Sequence, residues 1–136
     1  MRGRLLLALV AASLVVLGCV VFQATGSLPT RVVSAVTEQL LAIGVSPTLA
    51  ESSRVEFALN VAMFVPPVAV AALLLPRIRW SEWVVIAFVV SGVVELVQGF
   101  LLPDRSATFS DVVANTLGGL IGALAVSATR RVSSRS

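Results

Sequence analysis

The sequence contains no histidine, no tyrosine and no lysine, and it has a single cysteine. Histidine is the commonest metal ligand and the commonest general base in proteins, so its absence argues against a zinc site and against a Ser-His-Asp triad. One cysteine excludes a disulfide within the chain and a cysteine-rich zinc cluster. We therefore expect no metal and no cofactor.

Charged residues are also scarce. They make up 12% of the 136 residues, whereas 57% are hydrophobic and the mean hydropathy is +1.00. Soluble domains carry about 25% charged residues, so this composition indicates a polytopic membrane protein. The net charge of +3 comes from arginines that flank hydrophobic segments, which is typical of topology signals. The expected partner is the lipid bilayer and not a nucleic acid.

Four hydrophobic segments are long enough to cross a membrane as helices, which takes roughly 17 to 25 residues. They cover residues 5–22, 55–75, 83–102 and 112–129. The third segment contains Glu95, but its apolar side chains outweigh the insertion cost of one acid. The sequence thus predicts one all-α membrane domain over residues 1–136, a four-helix bundle.

Arginine placement predicts the orientation of this bundle. Seven of the ten arginines lie before the first segment, between the second and third, or after the fourth. The positive-inside bias then places both termini in the cytoplasm and residues 23–54 and 103–110 outside. Trp80 and Trp83 would lie at the cytoplasmic interface. An alternative for the first segment is a lipoprotein signal that ends at Cys19, which would leave three spans and the same cytoplasmic carboxyl terminus.

The external loop, residues 23–54, has helical features of its own. Between Pro29 and Gly44, apolar residues recur at helical spacing, which predicts a short amphipathic helix on the outer surface. Ser46 and Pro47 resemble the start of a second helix that runs towards the next span. Both a packed connector and a wall or lid for an outward-facing site fit this segment.

Polar residues interrupt three of the predicted spans. Glu56 and Asn60 are four residues apart, so they share a helix face, and further along this span Pro66 and Pro67 predict a kink. The third span carries an inward stripe of small and polar residues: Ser91, Gly92, Glu95, Gln98 and Gly99. In a membrane helix such polar groups mark either helix packing or a functional site.

The fourth span alternates steps of four and three through Asp111, Asn115, Gly118, Gly122, Ala125 and Thr129. Gly118 and Gly122 form a GxxxG pair, which with Gly119 predicts close packing against another helix. Thr108 and Asp111 have the spacing of a capping box. Asp111 is therefore either a helix cap or a site residue, and Asn115 either a site residue or an ordinary hydrogen-bonding partner between helices.

These residues together resemble a known family. Glu95-x-x-Gln98, Arg105, Asp111-x-x-x-Asn115 and the glycines that follow resemble the VanZ-like family of small bacterial membrane proteins. The segment from Asn60 to Pro66 resembles the second helix of its actinobacterial-type members, and the resemblance covers about residues 50–128. The chain departs from the family pattern at two positions. Many members have Lys or His near Asn60, which this chain lacks, so a role for a basic residue there does not carry over. A glycine often stands where this chain has Pro67.

The resemblance implies a four-helix protein of the bacterial plasma membrane, in a family named for low-level resistance to the glycopeptide teicoplanin and without an established reaction. Our main hypothesis is an outward-facing polar pocket in which Arg105 lies between two carboxylates, with amides beside them. The candidate ligand-binding residues are Glu56, Asn60, Glu95, Gln98, Arg105, Asp111 and Asn115. An anionic or amide-rich ligand, such as a lipid-linked envelope precursor or a glycopeptide, would suit it.

Two alternatives stay open. In the first, Glu95 and Asp111 are an acid and base pair that acts on a lipid-linked substrate, although no catalytic residue is firmly indicated. In the second, the polar faces only hold the bundle together, and the small-residue face recruits a second copy or another membrane protein.

Overall fold

The computed structural model of the chain describes residues 27–101 and 108–133. Within these ranges four α-helices follow one another, namely α1 (Ser27–Ala42), α2 (Ser52–Leu74), α3 (Trp80–Leu101) and α4 (Phe109–Ser133). The predicted all-α class is confirmed, and α2, α3 and α4 are each long and apolar enough to cross a membrane. The first predicted span, with Cys19, lies outside the described residues.

The membrane-crossing helices begin earlier than hydropathy indicates. α2 begins at residue 52, α3 at 80 and α4 at 109, each three residues before the predicted span. The added residues are mostly polar, and polar side chains suit a first helical turn because its N–H groups lack partners within the helix. Asp111 therefore lies inside α4 and has a defined helical phase.

α4 occupies the middle of the bundle. It packs along both α2 and α3, whereas α2 and α3 contact each other only slightly. A core cluster joins all three helices near one end and consists of Ala72, Trp83, Ala123 and Val126. Large apolar side chains elsewhere, such as Val85 and Leu96 on α3, stay exposed, as suits helices in contact with lipid.

The position of Trp83 corrects two expectations. Its side chain is buried in the core cluster, with 7% exposure, and only Trp80 is exposed as an interfacial tryptophan would be. Trp83 packs with Ala123 and Val126, so these residues are buried at that end of α4 while Ala125 and Thr129 are exposed. The face of α4 that the sequence pattern defined is therefore buried from Asn115 to Gly122 and exposed at Ala125 and Thr129.

Two helices were predicted in the segment before α2, and only the first of them forms. α1 forms as expected, and after it Gly44 adopts a φ of +87°, which favours glycine. Ser46 starts only a single turn, in which its carbonyl accepts from the N–H groups of Leu49 and Ala50. Glu51 then has a ψ of 133°, an extended value that separates this turn from α2.

Pro66 and Pro67 lie within α2, which continues through both. Neither has an N–H group, so the carbonyls four residues earlier, at Ala62 and Met63, lose their usual donors. The prolines therefore do not divide the span, and a kink at this point stays a prediction.

Candidate functional site

Because successive helices run in opposite directions, their polar residues lie together at one end of the bundle. α2 and α4 begin at this end and α3 finishes there, so polar residues from the first halves of α2 and α4 meet those from the second half of α3. Four of these polar side chains are buried: Ser91 at 0% exposure, Gln98 at 5%, Asn115 at 7% and Glu95 at 8%. We call this end, which also includes Asn60 and Asp111, the polar end.

Asp111 connects the start of α4 to α2. Asn60 Nδ2 donates to Asp111 Oδ1 over 2.7 Å, and Thr108 Oγ1 donates to Asp111 Oδ2 over 2.8 Å. The N–H of Asp111 donates in turn to Thr108 Oγ1 over 3.3 Å, which is the helix-capping contact. Both carboxylate oxygens thus accept hydrogen bonds, one from the residue that precedes α4 and one from another helix.

A second polar pair connects α3 to α4. Asn115 Nδ2 donates to Ser91 Oγ over 2.9 Å, and this bond is fully buried. The other amide atom, Asn115 Oδ1, is also buried, and it has no partner among the described residues. A buried hydrogen bond between membrane helices stabilises their association by about 0.6 kcal/mol on average.

Glycines allow the helices to approach closely enough for these pairs. A Cβ on Gly118 would overlap the carbonyl oxygen of Val61, and one on Gly122 would lie 2.6 Å from the carbonyl oxygen of Val65. On the α3 side, a Cβ on Gly119 would overlap that of Ala87. The GxxxG face of α4 is therefore occupied by α2 of the same chain.

A groove opens on the side of the bundle at the polar end, between the second half of α3 and the start of α4. Its volume is about 570 Å³. The lining residues are Phe88, Gly92, Glu95, Leu96, Gly99, Phe100, Thr108, Phe109 and Val112. Among these described residues, Glu95 is the only ionisable one. No atom of the described residues lies within 4 Å of the place where a Cβ on Gly92 would stand, so this glycine borders open space in that part of the chain. We call this feature the lateral groove.

The predicted site residues fall into separate places. Asn60 pairs with Asp111, Asn115 pairs with Ser91, and Glu95 lines the lateral groove. Gln98 is buried but is not a lining residue, and Glu56 is exposed on α2. Arg105 lies outside the described residues.

Sequence reasoning missed the aromatic walls of the groove. Phe88 precedes Gly92 by four residues, so it extends the stripe that contains Glu95, and helical phase alone would have identified it. Phe109 had no comparable signal, because it lies at a helix start where hydrophobic residues are common.

Comparison with known proteins identifies one family. The family model described as VanZ/LLP1 matches residues 5–130. This match includes the first hydrophobic segment, residues 5–22, whereas the resemblance seen in the sequence covers about residues 50–128. No curated protein and no solved structure matches the chain.

Proposed function

The chain belongs to the VanZ/LLP1 family, and we propose that it is a cell-envelope protein of the bacterial plasma membrane whose lateral groove binds an envelope-related ligand. The observation that carries this proposal is the groove itself, about 570 Å³ with a buried carboxyl group on its wall. Ligand pockets in proteins commonly measure roughly 300 to 1,000 Å³ and combine apolar walls with a few polar groups. The lateral groove has both properties.

The walls favour an amphiphile over a water-soluble ligand. Phe88, Leu96 and Phe100 provide apolar surface for a hydrocarbon chain, and the opening lies between two helices that can cross a membrane. Glu95 and Thr108 supply polar groups at the same site. A lipid-linked envelope precursor that diffuses within the leaflet would reach this opening directly, whereas a glycopeptide would have to enter it from water.

The orientation that we propose places the polar end outside the cell. Arg77, Arg79, Arg130 and Arg131 lie at the opposite end of the bundle, and the positive-inside bias favours the cytoplasm for them. Both termini are then cytoplasmic. In a Cys19→Ser background, a membrane-impermeant maleimide should label Phe109→Cys in intact cells and Arg77→Cys only after permeabilisation. The reverse pattern would contradict this orientation.

The functional test blocks the groove without touching its polar groups. Gly92→Leu should fill the open space beside Gly92, so a strain that carries it should become as sensitive to teicoplanin and other envelope-directed antibiotics as a deletion strain. Ala125→Leu adds a similar side chain at an exposed position of α4, outside the groove. This control should protect like the wild type. If Gly92→Leu is made in normal amounts and protects fully, the proposal is wrong.

The structure offers less support for an acid and base pair. Asp111 accepts hydrogen bonds through both oxygens, and it is not among the described lining residues of the lateral groove. Glu95 would then have to act without this partner. Full protection by Glu95→Gln would exclude proton transfer by that residue.

A structural role is the second candidate, and the two interhelical pairs favour it. Asn60 with Asp111, and Ser91 with Asn115, hold neighbouring helices together. Because α2 covers the GxxxG face, a second copy or another membrane protein would have to use a different surface. Combining Asp111→Asn with Arg105→Gln separates the roles. Retained protection with reduced stability indicates structure, and lost protection in a normally folded bundle indicates a site.

A further inference from the structure

The end of the bundle opposite the polar end concentrates positive charge. Arg77 and Arg79 belong to the turn between α2 and α3, and Arg130 and Arg131 lie in the last turns of α4. The described acid at this end is Glu82, whose Oε2 accepts from the N–H of Arg79 over 2.6 Å. Four arginines and one glutamate leave a net charge of +3 here. We call this end the arginine end.

The turn that carries two of these arginines is held against the bundle. Ile78 packs on the core cluster that includes Ala72 and Trp83. Its neighbours Arg77 and Arg79 are exposed. Packing of Ile78 therefore holds the backbone of both arginines at the end of the bundle.

Arg130 is fixed more firmly. Its Nη2 donates to the carbonyl oxygen of Ala72 over 2.6 Å and approaches that of Leu73 at 3.4 Å, which caps the end of α2. These contacts use one nitrogen of a half-buried guanidinium group. Within the described residues, Nε and Nη1 have no hydrogen-bond partner, so each can still donate singly from a guanidinium group whose position is fixed.

We propose that the arginine end binds the phosphate headgroup of an anionic phospholipid in the adjoining leaflet. Guanidinium groups bind phosphate with strong, charge-assisted hydrogen bonds. Trp80 is 40% exposed, as expected for a ring at the headgroup level. The site lies beside the apolar surfaces of three helices. Because these surfaces contact lipid, a phospholipid is the phosphate-bearing molecule that we expect next to the site. This inference does not depend on the function of the lateral groove.

The test compares lipid retention by the whole chain. The protein is reconstituted with equal amounts of phosphatidylglycerol and phosphatidylcholine, and native mass spectrometry measures which lipid stays bound. The wild type should retain phosphatidylglycerol preferentially. Arg77→Gln combined with Arg79→Gln should lower this preference by roughly fivefold for each arginine removed.

A matched control removes the same charge elsewhere. Arg31 in α1 and Arg54 in the first turn of α2 are exposed and lie outside the arginine end. Arg31→Gln combined with Arg54→Gln should keep the wild-type preference. An equal loss in both double variants, or no preference in the wild type, would overturn the proposal. If the first double variant does not fold, added salt should lower the wild-type preference, and a salt-independent preference would count against the site.

Discussion

At the scale of single residues, Asp111 combines the capping contact that its spacing predicted with a hydrogen bond from a different helix. One oxygen accepts from the capping residue Thr108, and the other accepts from Asn60 of a different helix. The capping spacing was visible in the sequence because it is local. The bond to Asn60 spans 51 positions along the chain and depends on how α2 packs against α4.

A double-mutant cycle measures this connection. Asn60→Ala should lower the free energy of unfolding by about 0.6 to 1.7 kcal/mol, the range for a hydrogen bond between membrane helices. Asp111→Ala should cost about 0.5 to 1.5 kcal/mol more, because the hydrogen bond from Thr108 Oγ1 to the carboxylate is also lost. Unfolding in a bilayer or in mixed micelles gives both values.

The double variant tests whether the two residues act on each other. If they do, the combined loss should be smaller than the sum of the single losses by the energy of the shared bond. Strict additivity would show that this contact adds nothing to stability.

Other residue contacts lay beyond sequence reasoning for the same reason. Arg130 was interpreted as a topology signal, and its bond to Ala72 across 58 positions became visible only in the packed bundle. Trp83 was expected at the interface because tryptophan is common there. It is buried because the small side chains of Ala72 and Ala123 leave room for its ring.

At the scale of helices, glycine determines how closely α4 approaches its neighbours. Gly118 and Gly122 face the main chain of α2, whereas no described atom lies within 4 Å of a Cβ placed on Gly92. The GxxxG spacing predicted a close approach to some helix. It did not predict which helix, since another copy of the chain would fit the same pattern.

Alanine substitutions distinguish these glycines. Gly118→Ala and Gly122→Ala should each lower the free energy of unfolding by about 1 to 3 kcal/mol, because the added methyl group would force α2 and α4 apart. Gly92→Ala is the matched control and should be neutral or slightly stabilising, since alanine favours helix over glycine by about 1 kcal/mol. Equal losses at all three positions would mean that close packing does not set the stability of the bundle.

Hydropathy predicted where the helices lie in the sequence more accurately than it predicted where they begin. The apolar runs located α2, α3 and α4, but polar first turns such as Phe109-Ser110-Asp111 were invisible to hydropathy. Ser46 and Pro47 had the residue types of a helix start and formed only one turn, because Glu51 is extended. Local residue type therefore indicated where a helix can begin, and not whether it continues.

At the scale of the whole molecule, chain direction explains why the polar end exists. Two helix starts and one helix finish bring their polar residues together, and alternating spans made this predictable. The lateral groove was not predictable, because it results from the missing side chain at Gly92 and from aromatic residues on two separate helices.

The central claim is that the lateral groove binds a lipid-linked ligand, and direct binding tests it most clearly. The whole chain in lipid nanodiscs would be titrated with a polyprenyl-linked cell-wall precursor, alongside Gly92→Leu and the control Ala125→Leu. We predict saturable binding by the wild type and the control, and an affinity lower by about tenfold or more for Gly92→Leu, equivalent to about 1.4 kcal/mol. Equal binding by all three proteins, or none by the wild type, would contradict the claim.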